Sequence, residues 1–282
     1  MKQRFYTASI TRKTPTAFIF LLDQSGSMNE LTVFDSIRQT KAEALSTATN
    51  LLLDELLDRS HRCNGINDYY HIAILGYSGE GVHDILNGFA TPSQLEQYSI
   101  PTLSVMRDRR LPNGTTITTT TRHRQWVKPV ATGMTPMYEV LNRALVLADN
   151  FCSQEQFRQC YPPTIFNITD GEATDATDSQ LLGIAQQIRN IGTTDGSVIL
   201  ANMNLSKSDG ECSILFPSSA EELPQERYAR LLYEMSSTMP ERCHNDIMHL
   251  RPDIVSGPFR AMSYNATISD IVAMLNIGTI SL

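Results

Sequence analysis

Asp23, Ser25 and Ser27 stand at alternate positions in the stretch Asp23-Gln24-Ser25-Gly26-Ser27. An apolar run, Ala17-Phe18-Ile19-Phe20-Leu21-Leu22, precedes it, and a long helical pattern follows. In an extended turn alternate residues face the same way, so one carboxylate and two hydroxyls point at one spot. These are hard oxygen donors, the ligand type taken by small divalent cations, and Mg²⁺ in particular accepts them in a tight octahedron. Gly26 lets the backbone turn sharply between the hydroxyls. The same letters also make an ordinary loop in which Ser27 caps the next helix. An EF-hand is excluded, because that loop needs Gly at its sixth position and Glu at its twelfth. Counted from Asp23, those positions hold Met28 and Phe34. An aspartyl-phosphate enzyme would place a second acid two positions after the nucleophile, where this chain has Ser25.

Two distant segments carry matching chemistry. Val130-Ala131-Thr132-Gly133-Met134-Thr135-Pro136-Met137 opens a helical pattern with Thr135 at its mouth. Pro136 suits a first helical position, where its missing N–H costs nothing. Thr164-Ile165-Phe166-Asn167-Ile168-Thr169-Asp170-Gly171 is a short apolar run that ends in Asp-Gly. In an open α/β sheet, ligands gather outside the carboxyl ends of the strands. Three such loops can therefore converge on one ion.

Taken in order, Asp23-x-Ser25-x-Ser27, Thr135 and Asp170-Gly171 resemble the metal-ion-dependent adhesion site of von Willebrand factor A (vWA) domains. The resemblance runs from about Pro15 to the C-terminus and fills all five motif positions. The phrases around Thr135 and from Thr169 to Asp175 look most like bacterial cytoplasmic members, among them tellurite-resistance-type proteins and partners of MoxR-type AAA+ ATPases. It implies a doubly wound, Rossmann-like α/β domain of three layers. It also implies Mg²⁺ or Mn²⁺ held by Ser25, Ser27 and Thr135, with Asp23 and Asp170 acting directly or through water. On this reading residues 1–14 are an N-terminal extension and 15–282 a single domain, with a basic insertion at about 85–130.

The composition sets outer limits. Its 282 residues suit one large domain or two small ones. A net charge of −7 argues against general nucleic-acid binding. Five cysteines without a Cys-x-x-Cys pair disfavour a disulfide framework and favour a reducing compartment. Cys243-His244 with His249 lacks the second cysteine pair of a zinc site. The N-terminal residues lack a signal-peptide core, and no stretch approaches the ~20 apolar residues of a membrane span. A cytoplasmic location without membrane attachment is therefore expected.

Periodicity places the supporting elements. Ala17–Leu22, Tyr70–Tyr77, Ile165–Thr169 and Ser197–Leu205 read as strands. Leu31–Leu57, Met137–Phe151, Leu181–Ile191, Ala220–Ser236 and Ile268–Ile277 read as helices, the third capped near Asp178-Ser179. Their alternation predicts a parallel sheet covered on both faces, with room for one antiparallel edge hairpin. His71 falls inside a strand and is expected to be structural. Residues 101–130 carry six basic residues against Asp108 alone. Pro112-Asn113-Gly114 is a turn signal beside the β-branched run Thr115–Thr121, so 103–127 reads as a two-stranded arm. Such an arm is either a solvated edge carrying charges that block aggregation or a docking surface for an acidic partner.

The expected function is a non-enzymatic module in which the ion captures an acidic side chain of a protein partner, within a signalling or stress-response complex built on a kinase and phosphatase or an AAA+ ATPase. Asn29, Glu30, Met134 and Glu172 are expected to ring the ion. The alternative is a metal-dependent hydrolase or phosphotransfer enzyme using the same ion. The sequence has no Gly-x-x-x-x-Gly-Lys-Ser/Thr loop and no His beside the motif to serve as a base.

Overall fold

The computed structural model describes residues 6–34, 37–63, 65–110, 116–205, 212–254 and 256–279. β1 (Thr16–Asp23) leads through a 3₁₀ turn (Gly26–Asn29) into a hairpin of β2 (Leu31–Phe34) and β3 (Ile37–Thr40), and then into α1 (Lys41–Ser60). A two-residue ribbon, β4 (His61–Arg62) with β5 (Gly65–Ile66), precedes β6 (Tyr70–Ser78), which folds back as β7 (Gly81–Asp84). A short helix, α2 (Pro92–Leu95), reaches an antiparallel pair, β8 (Thr102–Arg110) and β9 (Thr116–Arg124). Then come α3 (Met137–Cys152), β10 (Thr164–Thr169), α4 (Asp178–Asn190), β11 (Ile199–Leu205) and β12 (Ile214–Leu215). The last elements are α5 (Arg227–Met235), α6 (His244–Leu250), β13 (Met262–Ala266) and α7 (Ile268–Thr279).

Seven strands form the main sheet in the order β12-β13-β11-β10-β1-β6-β7. The five inner strands are parallel, and β7 and β12 close the two edges in antiparallel pairing. β1 lies between β10 and β6 and is buried along its whole length. That explains its unbroken apolar run, since a parallel strand covered on both faces has no solvent side. Phe18, Phe20 and Leu22 point into one core with α1 and α7, whereas Ile19 and Leu21 point into a second core with α3, α4 and α5. The two cores are the two outer interfaces of a three-layer α/β sandwich. Phe20 stacks on Phe166 with ring centroids 5.2 Å apart. The central order places the ends of β1 and β10 side by side, with Leu22 opposite Ile168. Asp23 and Asp170 are therefore neighbours by register.

The helix expected over Leu31–Leu57 begins only at Lys41. Residues 31–40 instead form the β2–β3 hairpin. Thr40 explains the boundary: its hydroxyl accepts from Glu43 N, and the Glu43 carboxylate accepts from Thr40 N at 2.9 Å. This reciprocal cap fixes where a helix starts. Ile37, counted in the helical stripe, is exposed on the hairpin. The Ala220–Ser236 helix is also shorter than expected. A 3₁₀ turn occupies Ala220–Glu222, and α5 starts at Arg227, past Pro224. Pro136 is the residue before α3 rather than its first position, and α4 is capped by Thr177. α6 and β13 had no sequence expectation. β13 reads Met-Ser-Tyr-Asn-Ala, yet four of its five residues are buried.

The β8–β9 pairing runs from Thr102 opposite Arg124 to Arg110 opposite Thr116. The expected turn at 112–114 lies outside the described residues. The base of the arm is fastened to α1. Arg124 N donates to Asp54 Oδ2, and Asn50 exchanges two hydrogen bonds with the Val127 backbone. Trp126 is buried there. His71 packs among Phe89, Phe151 and Phe157, and burial lowers its pKa.

Candidate metal centre

Five side chains meet at the carboxyl ends of β1 and β10. Asp23 ends β1, and its backbone partner in β6 is Tyr77. Ser25 precedes the 3₁₀ turn that contains Ser27, and their hydroxyls lie 3.1 Å apart. Ser27 Oγ donates to Asp170 Oδ1 at 2.6 Å. Thr135 sits just before α3. An ideal Cβ built on Gly171 would lie 3.9 Å from both Ser27 Oγ and Thr135 Oγ1. Both hydroxyls therefore face the small space above Gly171. The structure brings together all five residues expected from the sequence.

Close backbone approaches set this geometry. Gly26 N donates to Gly133 O at 2.9 Å, which ties the first loop to the second. Gly133 has φ +66°, and its Cβ would fall 2.6 Å from Gly79 Cα. No other residue fits there without moving the chain. Thr174 Oγ1 accepts from Thr135 N, and Thr174 N donates to Thr135 O, which ties the second loop to the third. Asp175 accepts from the Tyr138 and Glu139 N–H groups in the first turn of α3, where a carboxylate complements the helix dipole.

The donor set suits a hard divalent cation. Adjacent oxygens of a Mg²⁺ octahedron with bonds of about 2.1 Å stand about 3.0 Å apart. The Ser25–Ser27 separation has that size. Asp23 Oδ1 accepts from Ser25 N at 2.8 Å, and its Oδ2 accepts from Thr169 Oγ1 at 2.6 Å. Each oxygen keeps a second lone pair for a ligand or a bridging water. Burial raises the Asp23 pKa, the hydrogen bonds from Ser25 and Thr169 oppose that, and the charge of Asp170 adds to it. A cation would relieve both unfavourable effects. Among the described residues no three His, Cys, Asp or Glu side chains converge as a metal site. The candidate centre therefore rests on two carboxylates and three hydroxyls.

Three neighbours escaped the sequence reading. Thr169, inside the β10 motif, holds Asp23. Tyr228 donates its hydroxyl to Gly171 O and pins the third loop. Lys41, only 3% exposed, places Nζ 3.1 Å from Asp170 Oδ2 and 2.6 Å from Glu30 Oε2. A lysine opening a helix gives no sign that it reaches a carboxylate 129 positions away.

The surroundings differ from the expected ring. Glu30 is tied to Lys41, and Glu172 pairs with Arg227. Asn29 donates to Ala131 O at 3.0 Å. Met134, the apolar member of the expected ring, is more than half exposed beside Thr135, as are Leu31 and Val33 on β2. Asp23 is 1% exposed and Ser25 2%, so the first loop is packed rather than displayed on a rim. Ser27 is the exposed member.

No protein-family model and no curated protein matches this chain. Among solved structures it is similar to a von Willebrand factor type A protein from Catenulispora acidiphila, with 14% identity and a TM-score of 0.42 over 68% of this chain. A second is the set of three N-terminal domains of the type V pili tip protein Mfa5 from Porphyromonas gingivalis, with 14% identity and a TM-score of 0.33 over 59% of this chain. A third is an uncharacterized membrane spanning protein from Vibrio fischeri, with 12% identity and a TM-score of 0.27 over 78% of this chain and 85% of that one. This chain spans 34% of the first structure's length and 22% of the second's. Among the described residues of this chain, no helix is long and apolar enough to cross a membrane. These likenesses are too weak to carry a function, which rests on the chain's own residues.

Proposed function

We propose that this chain is a metal-dependent protein-binding module that takes an acidic oxygen of a protein partner at Asp23, Ser25, Ser27, Thr135 and Asp170. The observation that carries this reading is the meeting of two carboxylates and three hydroxyls from three loops on one small space. Bound Mg²⁺ or Mn²⁺ would supply an electrophilic position for that oxygen. Three of the five donors are neutral, and Lys41 offsets part of the charge of Asp170. The residues therefore under-neutralise a divalent ion, and a partner Glu or Asp would complete the balance. Met134, exposed beside Thr135, would exclude water around that contact, which strengthens a charge-assisted bond. A bacterial, cytoplasmic setting beside a kinase–phosphatase pair or an AAA+ ATPase is part of this proposal and follows from the motif resemblance.

The basic arm contributes less than its composition suggests. Arg124 pairs with Glu96 at 3.3 Å and lies near Asp54, so it is engaged within the chain. Arg122 is exposed.

The test is a capture experiment with the whole chain in Mg²⁺ and in EDTA, beside Thr135→Ala. Partners that bind in Mg²⁺ and are lost in EDTA and in the variant support the module. Equal capture in all three conditions overturns it. Phosphate-ester turnover with Mn²⁺ that disappears in Asp23→Asn would establish the enzyme reading instead.

A further inference from the structure

At the opposite ends of the parallel strands lies a cavity of about 500 Å³. Its walls include Arg189 in the last turn of α4, Ser197 before β11, the Ser237–Thr238 segment after α5, Arg260 before β13, and the ring of Tyr6. Arg189 and Arg260 both donate to one acceptor, the Ser236 carbonyl, at 3.2 and 3.0 Å. A shared acceptor holds two full positive charges close together. Burial and the nearby Arg260 keep the Arg189 guanidinium below its ordinary pKa.

Neither arginine forms an ion pair with a carboxylate among the described residues. Glu241 is the one acidic residue lining the cavity, and it is exposed and bonded to neither. Arg189 uses Nε and Nη1 on the Ala185 and Ser236 carbonyls, and Arg260 uses Nη1. A guanidinium has five N–H donors in a planar fork, so several remain for a ligand. Tyr233 backs the Arg260 guanidinium, whose carbon lies 4.7 Å from the ring centroid. Capping one carbonyl at the end of α5 calls for one cation, and a second beside it adds repulsion. An oxyanion between the two forks would remove that repulsion and accept bidentate bonds.

We infer that this cavity binds the oxyanion of a small organic molecule, a phosphate ester or a carboxylic acid, through Arg189 and Arg260. Its volume lies in the range of small-molecule sites. The proposal is independent of the candidate metal centre, and its test is run in EDTA so that no oxyanion is held through a metal ion.

The whole chain is titrated calorimetrically at pH 7 with inorganic phosphate, glycerol 3-phosphate and citrate. At least one probe is expected to bind with Kd below about 1 mM, and Arg189→Gln and Arg260→Gln are each expected to weaken it about tenfold or more. Arg227→Gln, whose side chain pairs with acids at the other end of the sheet, should bind as the wild type does. Circular dichroism melts confirm folding of each variant, and Arg260→Lys serves if Arg260→Gln fails to fold. Preference among the probes separates a phosphate from a carboxylate ligand. Failure of all three to bind the wild type below about 1 mM, or unchanged affinity in folded arginine variants, would leave the pair as a helix cap and overturn the site.

Discussion

At the carboxyl ends of β1 and β10 the converging side chains are Asp23, Asp170 and three hydroxyls. At the other end, beside the start of β11, they are Arg189 and Arg260. Each end holds its own charge off balance. Lys41 only partly offsets the acids, and Glu241, the single acid among the described residues lining the basic cavity, pairs with neither arginine. The two ends also differ in how they are assembled. The acidic end is made by residues that immediately follow strands or precede a helix, at the places where a doubly wound sheet collects ligands. The basic end depends on Arg189 and Arg260, 71 positions apart in sequence, which meet only because α4, α5 and the β13 approach pack together.

A run of buried hydrogen bonds crosses between the ends. Tyr77 donates to Asn167 Oδ1, Asn167 to Asn202 Oδ1, and Asn202 to Ser236 Oγ, each at 3.0 Å. Ser236 is the residue whose carbonyl both arginines cap. The two asparagines are fully buried within strands that are otherwise largely apolar.

The largest expected effect falls on the acidic end alone. Asp23→Asn should lower Mg²⁺ affinity about a hundredfold or more, read by titration calorimetry. Oxyanion binding at the basic end should stay unchanged. Because Asp23 is buried and accepts bonds from Ser25 and Thr169, Asp23→Ala should also cost about 1–3 kcal/mol of stability. Equal Mg²⁺ affinity in Asp23→Asn and wild type would erase the distinction between the ends.

Asn202→Ala strikes the link between them. It removes the acceptor of the buried Asn167 amide N–H and the donor to Ser236 Oγ, so urea unfolding should show a loss of about 2 kcal/mol. A change below about 0.5 kcal/mol, the scale of ordinary surface substitutions, would mean that the buried run contributes nothing to the sheet.

Lys41→Met tests the charge offset. Removing a cation bonded to Asp170 should tighten Mg²⁺ binding about tenfold. Without metal the variant should be less stable, because Asp170 loses its buried counter-charge. The rise in Tm on adding Mg²⁺ should therefore exceed that of the wild type. An equal or smaller rise would show that Lys41 helps to hold the ion.

The smallest effect is expected from the arm. The site lies at the start of α1, and the arm is fastened at Asn50 and Asp54, more than two turns further along. At about 1.5 Å per residue, that distance exceeds a Debye length at physiological salt. Arg122→Glu should thus change Mg²⁺ affinity by less than about twofold. A larger change, measured in the same titration, would place the arm beside the metal loops.

Much of this was legible in the sequence, for identifiable reasons. The unbroken apolar runs of β1 and β10, the stripes of α3 and α4, and the oxygen ligands at element boundaries are local signals. Parallel β topology turns such boundary positions into one rim. The β2–β3 hairpin was not legible, because Ile37 happened to extend the helical period of α1 backwards. The Thr40–Glu43 cap was the available signal. β13 was hidden because Met-Ser-Tyr-Asn-Ala lacks the unbroken apolar run of β1, and its place in the sheet comes from backbone pairing with β11 and β12.

By itself the sequence determined the α/β class, the central strands and all five candidate metal ligands, since each follows from short-range pattern and boundary chemistry. Only the tertiary structure decided that Glu30 and Glu172 are engaged, that Lys41 reaches Asp170, and that Arg189 meets Arg260. A side chain's partner across the fold depends on packing between elements far apart in the chain, and spacing along the sequence carries no record of it.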